Sequence, residues 1–150
     1  MLTNFKGNTM KKLICEIFGE IEAAKTKKDR LAILKFNDSY DLRCVLRGSF
    51  HPRIEYLINS VPLYKPNDSP DGLSGNTIIN EIRRVYLFEK NNPNRAPNLS
   101  AKKMETILIQ ILESLEAREA TVFMNMLLKK QKVKGLTYNL VKEAYPDLLP

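Results

Sequence analysis

Apolar residues recur at helical spacing along nearly the whole chain, and this periodicity limits the fold more than any other feature. From Met10 to Ala24, the residues Leu13, Ile14, Ile17, Phe18, Ile21 and Ala24 share one helix face. Thr26, followed three residues later by Asp29, resembles a capping box and opens a second helix through Leu31, Leu34 and Lys35. A third helix starts near Ser39, carries Leu42, Val45 and Leu46, and is expected to close at Gly48 in a left-handed cap. Pro52 suits the first turn of a short fourth helix containing Ile54, Leu57 and Ile58.

The pattern breaks over residues 59–75, where Pro62, Pro66, Pro70, Gly72 and Gly75 leave little apolar periodicity. A loop of this length is uncommon in a small domain and is often functional or disordered. Helix resumes at Asn76, with Ile78, Ile79, Ile82, Val85 and Tyr86 on one side, until the polar connection 91–98. Ser100 then caps a helix carrying Met104, Ile107, Leu108, Ile111, Leu112 and Leu115. Another runs from Ala117 to Lys130 with Ala120, Phe123, Met124 and Leu127 inward, and a last short one is capped by Thr137 and stopped by Pro146. No segment alternates as a strand does. The expectation is an all-α fold: a single compact domain of about seven helices over residues 10–150, with one long Pro/Gly loop. Residues 1–9 read as a flexible N-terminal extension. A chain of 150 residues, 43% of them hydrophobic, can build one such core, whereas two lobes divided at the loop would each be too small.

Several chemistries drop out. The two cysteines, Cys15 and Cys44, sit among apolar residues, which suits buried free thiols and supports neither a disulfide framework nor a thiolate zinc site. The single histidine, His51, excludes a multi-histidine metal site, and no metal or cofactor is expected. No apolar run is long enough to span a membrane, and residues 1–10 lack the apolar core of a signal peptide, so the protein is expected in the cytoplasm. Ser49 and His51 are too close in sequence to form a triad, and the G-x-S-x-G and G-x-x-x-x-G-K-[ST] motifs are absent. The pairs Asp68/Asp71 and Glu116/Glu119 have no accompanying histidine or third acid. The chain is therefore expected not to be an enzyme.

The basic clusters carry more information. Lys and Arg outnumber Asp and Glu by 24 to 17, a balance of +7 that favours polyanionic partners. Arg43, Arg47 and Arg53 bracket a turn containing Ser49 and His51, and Arg43 and Arg47 are four apart on one helix face. Lys129, Lys130, Lys132 and Lys134 lead into Gly135 and the helix start at Thr137, where unpaired amides suit phosphate. A third group comprises Lys25, Lys27, Lys28 and Arg30. Among the aromatic residues, Phe18, Tyr86 and Phe123 fall on core faces, while Tyr56, Tyr64 and Tyr138 are freer to meet a base.

The stretch from Ile17 to Leu34 (IFGEIEAAKTKKDRLAIL) and the basic stretch from Leu42 to Arg47 (LRCVLR) resemble the start of the ATP-dependent DNA ligases of T-even-like phages. The segment from Met126 to Pro150 resembles the end of the same N-terminal domain, with a basic stretch and small-residue turn before a short helix and an aromatic-Pro-x-Leu-x-Pro close. The chain is also similar to small uncharacterised proteins of tailed phages that carry an Arg-Gly-Ser-Phe-His-Pro segment and a Lys-Gly-Leu-Thr ending. In the ligases this all-helical domain clamps duplex DNA through its backbone. The adenylation motif K-x-D-G is missing here, so the resemblance implies a free-standing relative of the DNA-binding domain and not a ligase. It leaves the middle of the chain, including the proline loop, without a counterpart.

The function expected is that of a non-enzymatic phage accessory protein in the infected bacterial host, binding double-stranded DNA through phosphates without strong sequence preference. The alternative is an interaction module for a phage or host protein, docking through Leu63 and Tyr64 of the loop and Leu148 and Leu149 of the apolar tail.

Overall fold

The computed structural model describes residues 11–150. The helices are α1 (Ile14–Ala23), α2 (Lys27–Phe36), α3 (Tyr40–Phe50), α4 (Ile78–Glu81), α5 (Ala101–Ser114), α6 (Ala117–Leu127) and α7 (Tyr138–Ala144). A 3-10 segment, Ile82–Phe88, continues α4. Among the described residues there is no sheet, only isolated bridges pairing Tyr56 with Glu89 and Asn67 with Glu116. The fold is all-α. No helix among these residues is long and apolar enough to cross a membrane. The expected extension, residues 1–9, lies outside the described residues.

Helix starts follow from short polar side chains. The hydroxyls of Thr26, Ser39, Ser100 and Thr137 accept the amides of Asp29, Leu42, Lys103 and Leu140, each satisfying a first-turn N–H that the helix cannot. α1 has no such residue at its start, because Leu13 stands there. Its amides are met differently: Glu16 accepts from the Leu13 N–H at 2.8 Å, and Glu119 of α6 accepts from the Cys15 N–H at 2.8 Å. One core gathers Ile14, Ile17, Phe18 and Ile21 of α1, Leu42, Val45 and Leu46 of α3, and the inner faces of α5, α6 and α7. Phe88 and Phe123 meet edge to face in it, with ring centroids 6.5 Å apart.

Three expectations are corrected. Gly48 does not end α3 in a left-handed cap. The helix runs on to Phe50, and Gly48 is buried where α3 crosses α6. A Cβ there would lie 2.6 Å from the Tyr56 hydroxyl and 2.8 Å from the Met126 sulfur, so the glycine permits close approach of the two helices. The expected helix after Pro52 is absent. Instead the chain pairs with the end of the 3-10 segment, Leu57 N–H donating to Phe88 O and Lys90 N–H to Glu55 O, each at 2.8 Å. The third concerns the run after Asn76. Ile82, Val85 and Phe88 are three apart, and in a 3-10 helix such residues eclipse on one side. That geometry turns Phe88 fully inward and leaves Ile79 and Tyr86, expected on the core side, partly exposed.

The proline loop is pinned along the corner between α5 and α6. Glu113 accepts from Lys65 N–H at 2.7 Å, Glu116 from Gly72 N–H at 2.6 Å, and Ser114 O from the Ser74 hydroxyl at 3.2 Å. Gly48→Val forces a branched side chain between α3 and α6. It is expected to destabilise the fold by about 1–3 kcal/mol, the usual range for overpacking, as a lower urea midpoint with an unchanged m-value.

Candidate nucleic-acid interface

The basic residues after α6 lie on a strap whose shape follows from its first residue. Lys129 adopts a left-handed φ of +58°. Its N–H donates to Met126 O at 3.0 Å, and the Lys130 N–H reaches Asn125 O at 2.9 Å. This is a Schellman closure with lysine at the position usually given to glycine. The Lys129 side chain does not face solvent. Its ammonium donates to Gly48 O at 3.1 Å and His51 O at 2.7 Å, and it sits 5.9 Å from the centre of the Tyr56 ring. Burial pulls its pKa below the ordinary lysine value, with Glu55 opposing the shift and Arg47 adding to it. Lys129 therefore caps the C-terminal end of α3 and ties the strap to the Arg47–Arg53 turn.

Beyond Lys129 the chain alternates. Lys130, Lys132 and Lys134 are exposed, while Gln131, Val133 and Gly135 turn inward, and Leu136 is buried. The inward residues hold the strap down. Gln131 donates to the Ser49 hydroxyl at 3.1 Å and to Val122 O at 3.0 Å, and Val133 packs against the core. Gly135 has a φ of +88° and lies under the guanidinium of Arg30, close enough that any Cβ would collide with it. Arg30 itself caps α1, donating to Ala24 O at 2.9 Å and Ile21 O at 3.3 Å. The strap thus runs from the end of α3 to the start of α2 and connects all three basic clusters.

The expected site residues divide into working groups. Arg47, Arg53, Lys130, Lys132, Lys134 and Lys28 are exposed and make no ion pair among the described residues. Arg43 is exposed but engaged: it grips Asp38 with two hydrogen bonds, at 2.6 and 2.8 Å, and lies 4.5 Å over the Tyr145 ring. Lys27 is paired with Glu143 at 2.7 Å. Ser49 is buried, its hydroxyl donating to Val45 O at 2.7 Å, so it is a strut and touches no ligand. Thr137 spends its side chain capping α7, a helix of 7 residues. Lys129 serves the structural role above.

His51 reports the local field. Burial, then the positive charges of Arg47, Lys129 and Arg53, push its pKa below the ordinary 6.5. It is neutral at neutral pH, with Nδ1 accepting the Arg53 N–H at 3.2 Å. The sequence has no carboxylate from Leu42 to Ile54 and none along the strap from Thr121 to Lys142, although in space Glu22 accepts the Lys134 N–H at 3.3 Å and Glu55 acts on Lys129. Glu116 and Glu119, the second acid pair of the sequence, have separate structural duties at and just before the start of α6. Glu119 caps α1, while Glu116 binds the Gly72 amide and Arg118. Burial pushes the Glu116 carboxyl up, but those two partners outweigh it and hold it below the usual glutamate value. Among the described residues, no three His, Cys, Asp or Glu side chains are grouped to hold a metal ion.

The tyrosines expected to be available for bases are not. Tyr56 is largely buried with its hydroxyl on Gly48 O, Tyr64 packs on the core, and the Tyr138 hydroxyl donates to Pro150 O. The alternative docking residues separate in the same way. Leu63 is 96% exposed, whereas Leu149 is buried, Leu148 packs on the core, and the Tyr145 hydroxyl anchors the tail to Leu34 O. Both cysteines are unpaired and half-buried.

Lys129→Met removes two hydrogen bonds from an ammonium to buried carbonyls. It is expected to cost about 1.5–3 kcal/mol in urea unfolding, the range for bonds to charged groups. Any DNA affinity that remains should keep the wild-type salt slope.

Fold and site together define a small all-α protein with a lysine strap fastened across its helix ends. The chain belongs to a family described as being of unknown function, DUF6433, whose profile matches residues 17–134. The matched region takes in both the α3 turn and the three outward lysines of the strap. No curated protein matches the chain in sequence.

Proposed function

We propose that this protein binds DNA through phosphate contacts without strong sequence preference, as a non-enzymatic phage accessory protein in the cytoplasm of the infected host. The observation that carries the reading is the alternation of the strap. It presents Lys130, Lys132 and Lys134 outward together, with Arg47 and Arg53 at the end where Lys129 is fastened. Exposed cations without carboxylate partners suit phosphate, because they give up only water and counterions on binding. The resemblance to the DNA-binding domain of T-even-like phage ligases supports the same reading, since it falls on the α3 stretch and on the strap.

The test is a titration of fluorescent duplex DNA at about 50 and 200 mM salt. With about four phosphates engaged, log affinity against log salt slopes near −3.6, so binding weakens about 150-fold between the two conditions. Absence of binding to duplex and to single-stranded DNA alike at the lower salt, or equal affinity at both salts, would sink the proposal.

One observation favours the interaction-module alternative. Leu63 stands exposed next in sequence to Pro62, which with Leu57, Ile58 and the polar Arg95 and Glu105 lines a groove of about 470 Å³. Loss of a protein partner on Leu63→Asp, with DNA binding absent throughout, would establish it.

A further inference from the structure

We infer that the DNA taken by this protein carries unpaired bases, which stack on Tyr40 at the N-terminal end of the cationic face of α3 and on Phe36, four residues earlier at the end of α2. This rests on the DNA-binding reading above and specifies its substrate. Among the described residues, two aromatic side chains are left largely in solvent. Phe36 is 84% exposed and Tyr40 68%, while Tyr86 is at 36% and every other described aromatic is more covered. Burying a large ring is among the strongest drives in folding, so rings left standing in water call for a covering partner.

Their surroundings indicate which partner. Tyr40, Arg43 and Arg47 are three and four residues apart and all exposed, so they form one stripe along the outer face of α3. About 10 Å of helix axis separates Tyr40 from Arg47, and both line one recess. The stripe continues through His51 to Arg53. Of the carboxylates near it, Asp38 is gripped by Arg43 and Asp41 is buried against Lys11, while Glu89 lines the floor shared by Tyr40 and Arg47. The stripe therefore offers a π surface at one end and, in the exposed Arg47 and Arg53, positive charge without an ion-pair partner at the other. Nucleotides with free base faces need both, whereas in a duplex those faces are stacked away. An apolar protein partner would favour aliphatic surface, and the three most exposed aliphatic residues, Val61, Leu63 and Leu73, lie on the proline loop instead.

The experiment compares oligo-dT with a duplex of equal length, using the wild-type protein, Phe36→Ala, Tyr40→Ala and Tyr40→Phe. Both side chains are exposed, so thermal midpoints should not move. Each alanine is expected to weaken oligo-dT binding by about five- to 150-fold, with the salt slope retained. Tyr40→Phe should keep wild-type affinity, because it keeps the ring. The chain has no tryptophan, so quenching of tyrosine emission by oligo-dT reads the stacking directly. Salt-dependent binding to duplex, with the alanine variants silent on oligo-dT, would overturn the inference and leave the DNA reading standing. So would self-association of the wild type that the alanines abolish without affecting DNA, since it would assign the rings to a second copy. Failure of both nucleic acids to bind at about 50 mM salt would remove the DNA reading itself.

Discussion

Changing Lys130, Lys132 and Lys134 together to glutamine is expected to leave the fold intact and remove most of the salt dependence of DNA binding. The side chains are exposed and make no ion pair among the described residues, so each change should cost little stability. The strap itself is held by other groups: the Lys129 ammonium, the Gln131 amide, Val133 and Leu136. Each phosphate contact contributes about 0.9 to the slope of log affinity against log salt, so losing three takes it from near −3.6 to near −0.9. Between about 50 and 200 mM salt the wild type then weakens about 150-fold and the variant only three- to fourfold. A slope that does not change would place the strap outside the interface and leave Arg47 and Arg53 as the remaining contacts. Circular dichroism and the urea midpoint separate that result from unfolding.

The helices were legible because their signals are local. Thr26, Ser39, Ser100 and Thr137 all cap where a side-chain oxygen three residues before a free amide would place them. What escaped depends on distant partners. Gly48 carries the local signature of a helix end, yet the close crossing of α6 keeps it inside a helix. Pro52 permits a first helical turn, but pairing with Phe88 and Lys90 offers the same amides and carbonyls better partners. The spacing of Ile82, Val85 and Phe88 fits both α and 3-10 periods, and only the packing of Phe88 against Phe123 decides between them. The strap is a different case. Its alternation stands in the sequence from Lys130 to Leu136, but four lysines within Lys129–Gly135 read as a cluster and hide a period of two. Lys129 belongs to that cluster by composition and to the core by its bonds. The exposed rings had no local signal, since Phe36 ends one helix and Tyr40 begins the next, where face assignments are weakest.

The largest effect on stability is expected at Glu119, which the sequence offers only as an acid on a helix face. It is 1% exposed and accepts the Cys15 N–H at the start of α1, where no capping side chain stands. Glu119→Ala strands that amide in the core and leaves a void, an expected loss of about 2–4 kcal/mol. Glu119→Gln keeps an acceptor oxygen in place and behaves differently with pH. Burial, the dominant influence, raises the Glu119 carboxyl above its ordinary value of 4.5, although the Cys15 amide pulls the other way. The folded protein therefore holds this proton to a higher pH than the unfolded chain does. Stability linked to the protonated form is complete below the ordinary glutamate range and is lost as pH rises through the raised folded value. Glutamine has no proton to lose. Urea midpoints of Glu119→Gln and wild type should therefore lie close together at about pH 4, and the variant should lead at about pH 7. Glu119→Ala should fall below both at either pH. A wild type that gains on Glu119→Gln as pH rises would mean that the buried carboxylate is stabilised as an anion. α1 would then be held to α6 by charge, and not by a hydrogen bond that a neutral acceptor supplies equally well.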